Sequence, residues 1–287
     1  MRTSLPKILD KLMEKDDRYV LLIGDIGHYL FKDIEKKYPN RFYNIGICEQ
    51  AMMSVASGLS LNGLIPIIYS IAPFVTERCY EQIKLDFGYQ KTGGIIISVG
   101  GSFDYAGLGG THHCISDVGL MRLVDNIDIM IPGSSNDLSS MIKNINHNKL
   151  TYIKLTEKEH TLKIKPWVGD YYTPYYINRI RENPKGAIFV TGHLLEEVMQ
   201  NSHEYDIVYM PIISEDLNTN NIKHLFDYEN IITVEENNII GGLGDFISHI
   251  SGKTVKKIGI PNKTIQSYGS AKEIRKHLNL NREGLKL

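Results

Sequence analysis

The chain has 287 residues, with 32 basic and 33 acidic side chains and a formal net charge of -1. That balance excludes a general electrostatic pull toward nucleic acid or anionic membrane, so any charged recognition is local. The length suits one large or two modest domains. Cys48, Cys79 and Cys114 form neither a close pair nor a metal-ligand spacing, which fits a reducing cytosol. Charges interrupt the apolar residues of the opening MRTSLPKILDKLMEKDD, unlike a signal peptide, and no apolar run approaches the ~20 residues of a membrane span. A soluble, cytoplasmic protein is expected.

Leu5, Ile8, Leu9 and Leu12 recur at helical spacing, with Ser4 placed as a cap and Pro6 in the first turn. Residues 19–23 (YVLLI) form a continuous apolar run, the mark of a strand buried on both faces of a parallel sheet. The loop GDIGH follows at its carboxyl end. Asp25 there suits the cap of a helix over 29–37, and His28 suits either a surface loop or a proton shuttle.

The stretch 42–74 reads as a strand (42–45), a turn at Gly46, a helix opening near Cys48, a turn at Asn62-Gly63 and a second apolar strand. Glu49 therefore stands on the first turn of a helix just past a strand end, where ligands collect in open α/β sheets. The helix dipole alone also favours a glutamate there. Small residues (Ala51, Ser54, Ala56, Ser57, Gly58) suit this helix to close packing. About 25 residues after Glu49, one βα step on, come Tyr69, Ile71 and Phe74. A carboxylate on one loop and an aromatic plate on the next suit a flat heterocycle held by edge and face, although such aromatics are equally ordinary in a core. A helix over 75–87 carries Arg78, facing either substrate or solvent.

Strand 95–99 runs into GGSFDYAGLGGTHH, residues 100–113, whose glycines suit a mobile loop or a close approach of backbone to a ligand. Neither the dinucleotide nor the P-loop spacing is present. Adjacent His112 and His113, without a third ligand at usable spacing, do not read as a metal site. The alternation continues with strand 127–131, helix 137–146 and strand 152–155. A polar connector with Pro166, Pro174 and Pro184 follows. From Gly186 a second α/β unit begins: strand 187–191, helix 194–200, strands 206–210 and 230–235, then Gly241-Gly-Leu-Gly244 opening a helix to Ile250, and a last helix over 271–278. The fold class is α/β, with two parallel-sheet domains over 1–158 and 186–287 joined by a linker over 159–185. The Gly-Gly-Leu-Gly turn reads as structural rather than as a phosphate loop.

Three motifs in order, GICEQAMMSVASGLSLNG, IPIIYSIAPF and GGTHH, resemble the pyrimidine-binding domain of thiamine-diphosphate enzymes of the transketolase family. The likeness is nearest to the C-terminal chain of two-subunit members. It implies that Glu49 meets the aminopyrimidine ring nitrogen and is buried, so that desolvation disfavours its charge. It further implies that Phe74 is the pyrimidine plate, with Ile71 and Tyr69 beside it. Asp25 with Ile26 would lie near the cofactor between subunits, as an alternative to the capping role. His112 would reach donor-ketose oxygens in the substrate channel, and Arg78 would face the substrate. The resemblance also puts the helix after Glu49 at a subunit interface.

Two departures bear on substrate. Leu108 stands where the family commonly has a hydroxyl-reading aspartate, and Glu157 where sugar-phosphate-using members place an arginine. A carboxylate facing a phosphate rejects it, so a non-phosphorylated or nucleotide-linked sugar acceptor is expected. No Gly-Asp-Gly, the family's diphosphate motif, occurs in the chain. A separate N-terminal diphosphate-binding chain is therefore expected to hold the diphosphate and its Mg2+ (or Ca2+), in a heterotetramer of two plus two. The expected activity is thiamine-diphosphate-dependent transfer of a two-carbon ketol unit from ketose to aldose, in specialised sugar biosynthesis. The alternatives are the pyrimidine-binding chain of a 2-oxo acid dehydrogenase or acyloin-forming lyase, and a non-catalytic regulatory α/β subunit.

Overall fold

The computed structural model describes residues 1–164, 175–178, 183–201, 204–217, 223–285 and 287. Strands are numbered in chain order. The first six are β1 (Tyr19–Ile23), β2 (Phe42–Asn44), β3 (Ile65–Ile71), β4 (Gly94–Val99), β5 (Ile127–Met130) and β6 (Leu150–Lys154). The second half adds β7 (Tyr175–Asn178), β8 (Ala187–Val190), β9 (Asp206–Tyr209), β10 (Ile212–Ser214), β11 (Ile231–Asn238) and β12 (Lys256–Ile260). Among the described residues they form a seven-stranded sheet, β10-β5-β6-β4-β3-β1-β2, and a five-stranded sheet, β12-β11-β8-β9-β7. The α/β class expected from the apolar runs is what the molecule shows. β3, β4 and β6 are buried at every position, as strands covered on both faces must be.

Both sheets are parallel except at one edge, where β10 runs antiparallel to β5 and β7 antiparallel to β9. β10 lies beyond residue 186 in sequence yet completes the first sheet, so the chain re-crosses between its halves. One core cluster joins them, with Leu22, Ile68 and Ile96 alongside Phe189, Val208 and Phe246. Of the expected connector over 159–185, residues 175–178 form β7, while 165–174 and 179–182 lie outside the described residues.

Helix Leu5–Lys15 buries Leu5, Leu9, Leu12 and Met13 as its spacing predicts. Ser4 precedes it without capping it, because its Oγ donates to the Met1 carbonyl at 2.8 Å and meets Ser135 Oγ at 2.7 Å. The single helix expected over 75–87 is broken into Ala72–Val75, Tyr80–Gln82 and a π-type turn at Ile83–Tyr89. Thr76 supplies a reason: its hydroxyl bonds back to the Ala72 carbonyl at 2.7 Å, competing with the backbone ladder. Wide turns of this kind recur beside functional sites. Among the described residues, no helix is long and apolar enough to cross a membrane.

Candidate active site at the carboxyl edge of the first sheet

Helix Glu49–Leu61 opens at the carboxyl ends of β1 and β2, and Glu49 is its first residue. The side chain is buried, at 2% exposure. Arg78 Nη1 donates to Glu49 Oε2 at 2.8 Å, while Oε1 is buried with no hydrogen-bond partner. Leaving a carboxylate oxygen in that state is costly unless something else meets it. Phe74 stands beside the pair, half-buried, with the Arg78 guanidinium carbon 4.2 Å from its ring centroid. Edge and face therefore lie together. The side chain that joins them is Arg78.

Ile71 ends β3 and precedes the short turn that carries Phe74. Tyr69 does not join this group. On β3 its side chain points into the cluster with Leu9 and Phe31, whereas Met52, Met53 and Ala56 of the Glu49 helix pack into the opposite cluster. Its ring meets Phe31 edge-on at 4.9 Å, and its hydroxyl accepts from Arg2 Nε at 3.1 Å. Burial pushes that hydroxyl up to about 12. Ser70, one residue on, faces the Glu49 side instead. A Cβ built on Gly24 would lie 3.4 Å from Ser70 Oγ and 3.5 Å from Glu49 Cγ. Ser70 Oγ is also buried without a partner, and nothing in the sequence pattern singles it out.

The Gly24 contact brings the 24–28 loop alongside Glu49. Asp25 takes a positive φ of 64° and caps no helix; Asn44 Oδ1 accepts from its backbone N–H, and its carboxylate accepts from Asn44 Nδ2. Ile26 is half-buried in the same loop. His28 lies outside the site, with Nε2 2.9 Å from Glu35.

His112 arrives from the far loop. Its ring lies edge-on to Phe74 at 5.3 Å and to Tyr105 at 6.0 Å, and Nδ1 is 2.9 Å from Thr111 Oγ1. Desolvation first, then the charge of Arg78, holds its imidazole below the ordinary value, hence neutral. His113 turns away onto Phe103. Tyr105 packs over Gly100, whose φ of 75° and lack of a side chain admit the ring; an added Cβ would come within 2.1 Å of it. Arg2 Nη1 donates to Tyr105 at 3.1 Å. With Met1, Asp104, Thr156 and Glu157, these two residues line a cavity of about 310 Å3. Arg2 gave no signal in the sequence, since nothing local ties it to a loop about 100 residues away.

Comparison with known proteins decides the family. Residues 1–161 match the model of the transketolase pyrimidine-binding domain. This chain belongs to the transketolase family. An apulose-4-phosphate transketolase subunit of Actinobacillus succinogenes is 30% identical, over 87% of this chain and 84% of that one. A 6-deoxy-6-sulfo-D-fructose transketolase subunit of a Clostridium species is 26% identical over 91% and 84%. A split-gene transketolase solved as an inactive β4 tetramer shares the fold, with TM-score 0.83 over 99% of this chain and 94% of that one at 22% identity. The chain is the C-terminal subunit of a two-chain transketolase, and so a subunit of a transferase.

Within that transketolase subunit, Gly241–Gly244 is not an anion site. Glu235 fills it, accepting from the Leu243 and Gly244 N–H groups at 2.7 and 2.9 Å. Among the described residues, no three His, Cys, Asp or Glu side chains converge to hold a metal. The Glu157 N–H donates to Asp104 Oδ2 at 2.6 Å, and Arg275 reaches Asp104 at 3.2 Å and Glu236 at 2.5 Å from the second half. Leu108 is more than half exposed on the His112 loop.

Proposed function

We propose that this chain supplies the aminopyrimidine half of a thiamine-diphosphate site and carries out ketol transfer together with a diphosphate-binding partner chain. One observation carries the reading: Glu49 Oε1 is buried and unpartnered beside the half-exposed Phe74 ring. A heterocycle with a ring nitrogen at one edge fits that pair. Bound there, the cofactor would supply a nucleophilic thiazolium carbon and an electron sink. Glu49 would hold and return the proton at the ring nitrogen. Phe74 would fix the ring by its face, with Ile71 behind it, and Asp25 and Ile26 would border the cofactor from their loop. His112, kept neutral, would donate to or accept from a substrate hydroxyl or carbonyl oxygen. Arg78 would face the substrate once released from Glu49.

Relatives that are themselves separate transketolase subunits, covered over most of their length, support placing the divalent cation and diphosphate on a partner chain, in a two-plus-two assembly. A split-gene relative inactive as a β4 tetramer supports dependence on that partner. Residues 1–158, whose sheet β10 completes from the second half, would form the pyrimidine domain and 186–287 the C-terminal domain, in a cytoplasmic enzyme. Glu157 and Leu108 favour an acceptor without a terminal phosphate, or one linked through a nucleotide, in specialised sugar biosynthesis.

The test is Glu49→Gln in the co-expressed two-chain enzyme. One positioned proton is worth roughly 100- to 10,000-fold in rate, so turnover of a ketose donor should fall by that factor. Unchanged turnover would support a non-catalytic subunit instead.

A further inference from the structure

We infer that Arg78 is a built-in stand-in for the aminopyrimidine ring, occupying its slot in the unliganded chain and leaving when the ring arrives. The inference rests on the reading of Glu49 and Phe74 given above. A flat ring that hydrogen-bonds Glu49 and stacks on Phe74 needs the space between them. One side chain already makes both contacts. Its guanidinium is planar, carries N–H donors along an N–C–N edge, donates to Glu49 at 2.8 Å and lies 4.2 Å from the Phe74 centroid. Stacked carbons sit about 3.5–4.0 Å apart, so that layer holds one flat group at a time.

The choice of arginine follows from the same geometry. Lysine would neutralise the carboxylate as a point charge, but only a guanidinium both forks onto an oxygen and stacks on a ring. Arg78 can also leave. Its side chain is 39% exposed while Glu49 is 2% exposed, so rotation of the stem carries the head into solvent without unpacking the core. The free subunit thus keeps a buried carboxylate paired, and the pairing competes with the ligand. A site that is open only part of the time binds with its intrinsic affinity scaled by the open fraction.

The experiment titrates 4-amino-5-hydroxymethyl-2-methylpyrimidine, the ring without thiazolium or diphosphate, onto the full chain by ligand-observed NMR. Variants are compared after circular-dichroism melts confirm folding. Arg78→Met should bind roughly tenfold more tightly than the wild type, from the removed competitor. Arg78→Lys, which keeps the charge but not the plane, should fall between them and carries the test if Arg78→Met does not fold. Equal or weaker binding in the folded Arg78 variants overturns the inference alone. If Glu49→Gln and Phe74→Ala bind as well as the wild type, or no variant binds at all, the proposed site fails and the inference with it.

Discussion

Glu49 and Glu235 are the same residue type, both buried, each beside the opening turn of a helix at the carboxyl end of a parallel strand. In the second half Glu235 reaches across to two backbone N–H groups, at 2.7 and 2.9 Å, and both of its oxygens are used. In the first half Glu49 has one oxygen on Arg78 and the other on nothing. The former is a cap supplied at a distance, which answers the unsatisfied donors of a helix start. The latter is an incomplete set of hydrogen bonds, the opening that the proposed ring would fill. Burial is common to the two glutamates, and hydrogen-bond satisfaction is what differs between them.

The contrast breaks most sharply by mutation. Glu49→Gln should cost the two-chain enzyme roughly two to four orders of magnitude in turnover, with little change in melting temperature, since its free oxygen holds nothing in place. Comparable loss of stability would remove the contrast. Lys154→Met should come next, on stability. Lys154 and Asp117 are both almost fully buried and 3.0 Å apart, Tyr152 donates to the same carboxylate at 2.6 Å, and Lys154 also reaches Asn237 across the halves. Removing one partner of such a pair costs about 3–5 kcal/mol, readable by urea denaturation. Glu235→Gln should cost about 1–3 kcal/mol, because an amide leaves one N–H facing a donor, while turnover per folded molecule stays near the wild type.

What the sequence revealed follows the same division. The all-apolar runs announce β1, β3 and β4, and a glutamate opening a helix after a short strand announces Glu49. Runs buried on both faces carry no alternation, however, so nothing local says which way a strand residue points. Tyr69 accordingly looked like a companion of Phe74 and instead faces Phe31. Ser70, on the site's side, went unnoticed. The Arg78 contact depends on the break at Thr76, which helical periodicity does not show. The bonds from Lys154 to Asn237 and from Arg275 to Asp104 join residues 83 and 171 positions apart, beyond any reading by spacing.

The smallest expected effect is a pH slope in the second half. His193 is buried, 3.3 Å from Glu236 Oε2 and near Arg275, and desolvation outweighs the glutamate's pull, lowering its imidazole to about 3. The unfolded chain takes up that proton near pH 6.5, the folded chain only near 3. Stability from this group is therefore complete above 6.5 and is lost as pH falls toward 3. Asp104 works oppositely: burial raises it to about 7, so the folded state holds its proton first and gains stability as pH falls from 7 toward 4. The wild type shows the sum. His193→Asn removes the first of these opposing slopes, so between pH 6.5 and 4.5 the variant should gain stability on acidification relative to the wild type, by on the order of 1 kcal/mol per pH unit. Parallel urea-midpoint profiles for the two proteins would show that His193 is not held neutral by the fold.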